Sequence, residues 1–278
     1  MINNGRRVVS DCLAKVILDL LGKPNISERV IKEAWLEEIR SHSSLTDNGW
    51  YAPPEKGMAV LASQGDDMRR THFKSFRDPQ FYPSDRPIDW GSSALIAYAS
   101  NVDIYTGLPA DFATTMYFGA EANVKRHFQT CLGCCRELFA ELEDICLGRE
   151  LYLRFEDILA TCGIDGRTWS STDNDYNFGH TLPLLDTESG LSCSSAANAS
   201  LCVNDGGAEA MRKARLFLSS DSSLHLATGI QFTIEPQCVS QHCPDLPKVM
   251  IHYVAQYTQG RFQVCDACDD LMYKFGLN

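Results

Sequence analysis

The stretch Gly229-Ile-Gln-Phe-Thr-Ile-Glu235-Pro236 places the tightest constraint on the fold. Its β-branched and aromatic residues favour a half-buried strand, and the flanking glycine and proline punctuate it. A carboxylate closing such a strand loses hydration, so it needs a cation, a metal or several donors beside it. The chain must therefore build a sheet around this strand and bring a partner for Glu235 from elsewhere in the sequence. An ordinary salt bridge meets that need as well as a catalytic site does.

The remaining pattern predicts which elements are available. Residues 8–21 place Val9, Cys12, Leu13, Val16, Ile17, Leu20 and Leu21 at helical spacing, with Gly22 as a stop. Asn25 and Glu28 predict the capping box of a second helix whose face carries Val30, Ile31, Ala34, Trp35 and Ile39. Prolines interrupt residues 46–92, where short strands such as Met58 to Leu61 and long loops are expected. Ala94 to Asp103 and Phe112 to Tyr117 read as strands, Ala122 to Ile145 as a long helix, and Leu153 to Cys162 as a shorter one stopped by Gly163. Residues 187–208 are rich in Ser, Ala, Asn and Gly and predict a mobile loop; from Leu226 the chain is strand-rich again. Helices alternating with antiparallel-looking strands give an α+β class, with residues 1–278 read as one domain.

A formal charge of −11 disfavours nucleic acid or an anionic membrane as the main partner. No run reaches the roughly 20 apolar residues of a membrane span. The apolar stretch near the N-terminus is broken by Asp11, Lys15 and Asp19, unlike a signal peptide. The 12 cysteines are accordingly read as mostly reduced thiols of a cytoplasmic protein. Cys131-Leu-Gly-Cys134-Cys135 and Cys265-Asp-Ala-Cys268 have the spacing of zinc half-sites, a reading set against thiols that simply pack.

Four candidate metal ligands stand at strand ends or beside glycines: Asp103, Asp111, His180 and Glu235. Carboxylates with one imidazole suit Mn²⁺, Fe²⁺, Co²⁺ or Zn²⁺, and shared carboxylates hold two such ions close together. Asp111 also reads as a turn former and His180 as the hydrogen-bonding partner of a loop.

Three segments carry a family resemblance. Asp111-Phe-Ala-Thr-Thr-Met-Tyr-Phe-Gly119 before a long helix, Phe178-Gly-His180-Thr-Leu-Pro183, and Leu226-Ala-Thr-Gly229 through Glu235-Pro236 follow one another in that order. Together they resemble the creatinase/methionine aminopeptidase/prolidase family, of which the chain looks like a divergent member. The resemblance implies a pita-bread fold: two pseudo-symmetric α+β halves around a curved antiparallel sheet, with metal ligands on its inner surface. It also implies one or two divalent transition metals, a small peptide or amino-acid-derived substrate, and a possible homodimer. By it, Asp103 and Asp111 are the paired aspartates, His180 the imidazole ligand and Glu235 the first glutamate.

The chain departs from the family at three points. The interval from Asp103 to Asp111 is shorter than the family's hairpin. The strand before Gly260, Met250-Ile-His252-Tyr-Val-Ala-Gln256-Tyr, lacks the final glutamate, so either His252 replaces it or the second metal is absent, and binding of no metal stays open. No histidine lies between His180 and His225, where the family's substrate-facing histidine is expected; separately, His72, in a loop after Arg69 and Arg70, and His225 read as substrate contacts or as solvated surface residues. Three readings result. One is a metal-dependent hydrolase of a peptide-type or related amide C–N bond. The second is a metal-independent, creatinase-like hydrolase with His180 or His252 as base. The third is a non-catalytic module that binds a peptide or protein.

Overall fold

Two helices followed by an antiparallel three-stranded sheet occur twice along the chain. The computed structural model describes residues 4–65, 67–170, 175–182 and 207–277. In the first half, α1 (Asn4–Leu20) and α2 (Glu28–Arg40) cover β1 (Met58–Ser63), β2 (Ala94–Ala99) and β3 (Phe112–Tyr117). Helix α1 buries Val9, Cys12, Leu13, Val16 and Ile17, the face its spacing predicts. Helix α2 is capped by Ser27, whose Oγ accepts from the Val30 N–H at 3.3 Å. The predicted cap, Asn25, instead turns the chain at φ 60°, a region asparagine tolerates better than most residues. Trp35 and Ile39 are buried as expected, whereas Val30 is exposed. The Trp35 indole donates to Val9 O at 3.1 Å and pins the two helices together.

The strands β1 to β3 are buried at every position, so their sheet is covered on both faces. The second half repeats the plan with α3 (Ala122–Glu141) and α4 (Gly148–Thr161). Smaller strands follow: β4 (Ile164–Asp165), then β5 (Thr168–Ser170) paired with β6 (Asp175–Asn177). After α5 (Gly207–Ala214) come β7 (Gln231–Ile234), β8 (Gln237–Ser240), β9 (Val249–Met250), β10 (Tyr253–Thr258) and β11 (Arg261–Cys265). The sheet of this half has the order β11-β10-β7, and a second runs β4-β8-β9. Most of the predicted loop, residues 187–206, lies outside the described residues, and 207–208 open α5.

The halves are joined at β3. Thr114 bridges Ile251, and Thr115 Oγ1 accepts from Met250 N–H at 2.7 Å and donates to Lys248 O at 3.3 Å. Helix α6 (Ala267–Phe275) returns to pack on β3 and α1. One buried apolar cluster thus runs from Val9 on α1 to Phe275 on α6, an α+β architecture of two similar halves. Among the described residues, no helix is long and apolar enough to cross a membrane.

Lys248 is buried at this junction. Its ammonium donates to Gln237 Oε1 at 2.9 Å and to Phe73 O. Burial pushes it from 10.5 down to about 7, against the pull of Asp165 and Cys238. Above about pH 7 the unfolded chain keeps a proton here that the folded chain releases, so stability rises with pH towards 10.5. The contribution is at most about 1.4 kcal/mol per pH unit. Urea unfolding from pH 7 to 9 is expected to show this rise in the parent protein and to lack it in Lys248→Met. Equal slopes in both proteins would refute the assignment.

Candidate functional site

Two strand ends define the site. In the ladder between β7 and β10, Ile234 faces Tyr253, so one further step sets Glu235 opposite His252. In the ladder between β2 and β3, Ala99 faces Phe112, so one further step sets Asp111 opposite Ser100. Asp111, Glu235 and His252 all line one cavity, together with His180.

His180 arrives on a short extended segment, 178–182, laid against β7. Glu235 N–H donates to Phe178 O, Thr233 N–H to His180 O, and Leu182 N–H to Gln231 O, each at 2.8 Å. On the other side Phe178 N–H donates to Leu218 O at 3.0 Å and Thr181 N–H to Leu216 O at 2.9 Å. This second contact carries Arg215 and Phe217 to the cavity wall. Gly179 permits the approach: its φ is +144°, and a Cβ there would stand 2.1 Å from Thr233 O.

The four polar side chains are held differently. Trp50 Nε1 donates to Asp111 Oδ1 at 2.6 Å, and the buried Arg6 donates to the backbone carbonyl of Asp111. His180 Nδ1 lies 2.9 Å from Thr181 O. A carbonyl only accepts, so Nδ1 carries the proton and the neutral ring presents a lone pair at Nε2. That Nε2 is 3.7 Å from Glu235 Oε1, and His252 Nε2 is 3.7 Å from Glu235 Oε2. Both ring nitrogens of His252 are buried without a hydrogen-bond partner among the described residues.

Burial dominates the electrostatics. It raises Asp111 to about 7 against the Trp50 hydrogen bond and the charges of Arg215 and Arg6. Burial and then Asp111 raise Glu235 to about 8, again opposed by Arg215 and Arg6. Burial and then Arg215 lower His180 to about 3; burial, Arg6 and His180 hold His252 well below its ordinary range. Both imidazoles are thus neutral at pH 7, the state in which they ligate metals.

The chemistry of these donors suits a divalent transition metal. The set offers two carboxyl groups and two neutral imidazoles, and the His180 lone pair stands 3.7 Å from Glu235 Oε1, beyond hydrogen-bond reach. The proton of His180 is fixed by a backbone carbonyl, the usual second contact of a metal-bound histidine. Asp111, His180, Glu235 and His252 would hold the ion. Their atoms stand wider apart than the 4.8 Å all-round spacing reached by Cys12, Glu38 and His42 elsewhere in the chain, so a bound cation would draw them inward.

Asp103 does not join this group. The register sets Ser100, not Asp103, across from Asp111, and the Ser100 hydroxyl donates to Gly57 O at 3.0 Å. Asp103 Oδ1 accepts from the N–H groups of Tyr105 and Thr106 at 2.9 and 3.0 Å, closing a turn away from the cavity. His72 and His225 do not line the cavity either. His72 Nε2 contacts Leu246 O at 2.8 Å, and His225 is an exposed residue whose backbone bridges Leu147. The CxxC cysteines Cys131, Cys134, Cys135, Cys265 and Cys268 are buried in the apolar cluster, and among the described residues no third ligand converges on either pair.

Trp50 and Arg215 are site residues that pattern reading missed. Trp50 follows Gly49, where a Cβ would meet Ser100 Oγ at 2.2 Å and Gly57 Cα at 2.9 Å, and that glycine was the available signal. Arg215 lies 5.3 Å from the Trp50 ring and 5.0 Å from the Phe217 ring, and no motif marks it.

No family profile matches the chain, and no curated protein matches it in sequence. Solved structures match it throughout. The prolidase from Pyrococcus horikoshii OT3 is 13% identical with a TM-score of 0.58, over 95% of this chain and 60% of that one. The Xaa-Pro dipeptidase from Bacillus anthracis is 14% identical with a TM-score of 0.57, over 95% and 59%. The chain therefore spans about three-fifths of these two proteins. The methionine aminopeptidase from Rickettsia prowazekii is 13% identical with a TM-score of 0.56, over 94% of each chain. These likenesses show that the chain has the pita-bread fold its motifs resemble.

Gly179→Ala is expected to part the 178–182 segment from β7. The expected loss is about 2 kcal/mol or more of unfolding free energy in urea. Ala at this position with unchanged stability would mean that the close approach to Thr233 does not hold His180.

Proposed function

We propose that the chain hydrolyses a peptide-type or related amide C–N bond with one divalent transition metal: Mn, Fe, Co or Zn. The observation that carries this reading is the Glu235 carboxylate between two neutral imidazoles, 3.7 Å from each. When bound, such an ion polarises a substrate carbonyl and lowers the pKa of water towards neutrality. The side chains supply the rest. Trp50 holds one oxygen of Asp111 and leaves the other for ligation. Thr181 O fixes the His180 tautomer. His252 Nδ1, which has no hydrogen-bond partner among the described residues, would carry the ring proton and leave Nε2 as the ligating atom. Tyr51, Tyr98, Trp169 and Phe217 wall the cavity with rings that exclude water around a small peptide or amino-acid-derived substrate.

Ser100 and His252 support one ion rather than two. They stand across the ladders from Asp111 and Glu235, where a second ion would need further carboxylates to share. The free thiols of the described cysteines agree with a cytoplasmic setting. A homodimer rests on the family resemblance alone.

Metal analysis of chelator-free protein is expected to find one equivalent bound in the cavity. EDTA should abolish hydrolysis of a dipeptide and aminoacyl-amide library, and Mn²⁺ or Co²⁺ should restore it. Asp111→Asn, His180→Ala and Glu235→Gln should each lower kcat/KM by about 100-fold or more. Turnover that survives EDTA but is lost in His180→Ala or His252→Ala would replace this mechanism with the metal-independent one. Binding without turnover would make the cavity a recognition site.

A further inference from the structure

The outer helix pair carries a second constellation, independent of the cavity. Cys12 on α1 faces Glu38 on α2 and His42 just beyond its end, and one ligand atom from each lies within 4.8 Å of the other two. Among the described residues this is the only group of three or more Cys, His, Asp or Glu side chains that close. The chain path explains it: Glu38 lies in the last turn of α2, His42 follows the end of that helix with its Nε2 4.0 Å from Glu38 Oε1, and α2 packs on α1. None of the three lines the cavity.

Cys12 is buried, while the Glu38 and His42 side chains are 20% and 43% exposed, so solvent reaches the group from one side. Lys15, one turn after Cys12, donates from Nζ to both Glu38 oxygens at 2.7 and 2.8 Å. The protein thus already places one cation against this carboxylate, on a side chain that is 60% exposed and free to swing outward. A thiolate, an imidazole and a carboxylate form a borderline-soft donor set that suits Zn²⁺ and excludes Mg²⁺ and Ca²⁺ as preferred ions.

We propose that Cys12, Glu38 and His42 bind Zn²⁺ between α1 and α2, with water as the fourth ligand. On binding, the Cys12 S–H bond breaks, its proton passes to solvent and an S–Zn bond forms; Lys15 leaves Glu38 for water. No electron is transferred. The ion ties α1 to α2 about one helical turn along from the Trp35–Val9 hydrogen bond and stabilises the folded chain by mass action.

Titration of the full chain with Co²⁺ tests this, because thiolate-to-cobalt charge-transfer absorption needs a cysteine ligand, and among the described residues no cysteine lines the cavity. A saturable band with the amplitude of one cobalt–thiolate bond per chain is expected. Cys12→Ser should abolish it, and His42→Gln, a change at a partly exposed position, should weaken Co²⁺ binding by about tenfold or more. Both variants are checked for a metal-free melting temperature like that of the parent protein. Added Zn²⁺ should raise the melting temperature of the parent protein and not that of His42→Gln. The proposal is overturned if no saturable band forms, if Cys12→Ser keeps it, or if His42→Gln binds Co²⁺ as tightly as the parent. Its failure would leave the cavity reading untouched, since EDTA-sensitive hydrolysis depends on neither Cys12 nor His42.

Discussion

The contact between Gly179 and Thr233 is the constraint on which the site depends. A side chain at residue 179 would overlap the Thr233 carbonyl, so only glycine lets the 178–182 segment run beside β7. That alignment brings His180 to Glu235, although 55 positions separate them in the sequence. It also seats the 216–218 segment on the opposite edge, which delivers Arg215 and Phe217. A single backbone approach therefore settles three of the cavity's walls. The cross-strand steps from β7 to β10 and from β2 to β3 add His252, Ser100 and Asp111.

The electrostatic character of the cavity follows from how deeply these groups are buried. Two carboxylates in a poorly solvated space resist ionising together, and Glu235 feels Asp111 directly. Arg6 and Arg215 offset part of that cost, and the Trp50 indole adds a hydrogen bond to Asp111. The two imidazoles remain uncharged for the same reason, which leaves them as donors of lone pairs rather than of charge. A cation seated there would relieve the repulsion between the two carboxyl groups, and the large buried core of the chain offsets the cost of removing those groups from water.

Local pattern exposed much of the fold. Helical spacing located α1 and α3, and strand composition located β1, β2, β3 and β7, because each of these elements has a strong period or a continuous apolar run. Glu235, His180 and Asp111 were legible because punctuating residues mark them: Pro236, Gly179, and the strand start at Phe112. Asp103 was misplaced because ladder register, not distance along the chain, decides which residue faces Asp111, and register is set by partners the sequence does not display. His72 and His225 were candidates for substrate contact, and each is placed elsewhere by a distant partner: the His72 ring by Leu246 O and the His225 backbone by Leu147. Arg215 left no local trace, since its position depends on the non-local pairing of its neighbour Leu216 with Thr181.

The Trp50 indole has an optical consequence. Its N–H points at a carboxylate 2.6 Å away, and its ring meets the His180 ring edge-on at 6.3 Å. An indole's emission responds to nearby charge, so the colour and intensity of Trp50 fluorescence depend on whether Asp111 is protonated, ionised or neutralised by a ligand. The chain has only 4 tryptophans, and the difference spectrum between the parent and Trp50→Phe isolates this one. The protein thus carries an intrinsic reporter inside its own cavity, readable without a label or a chromogenic substrate.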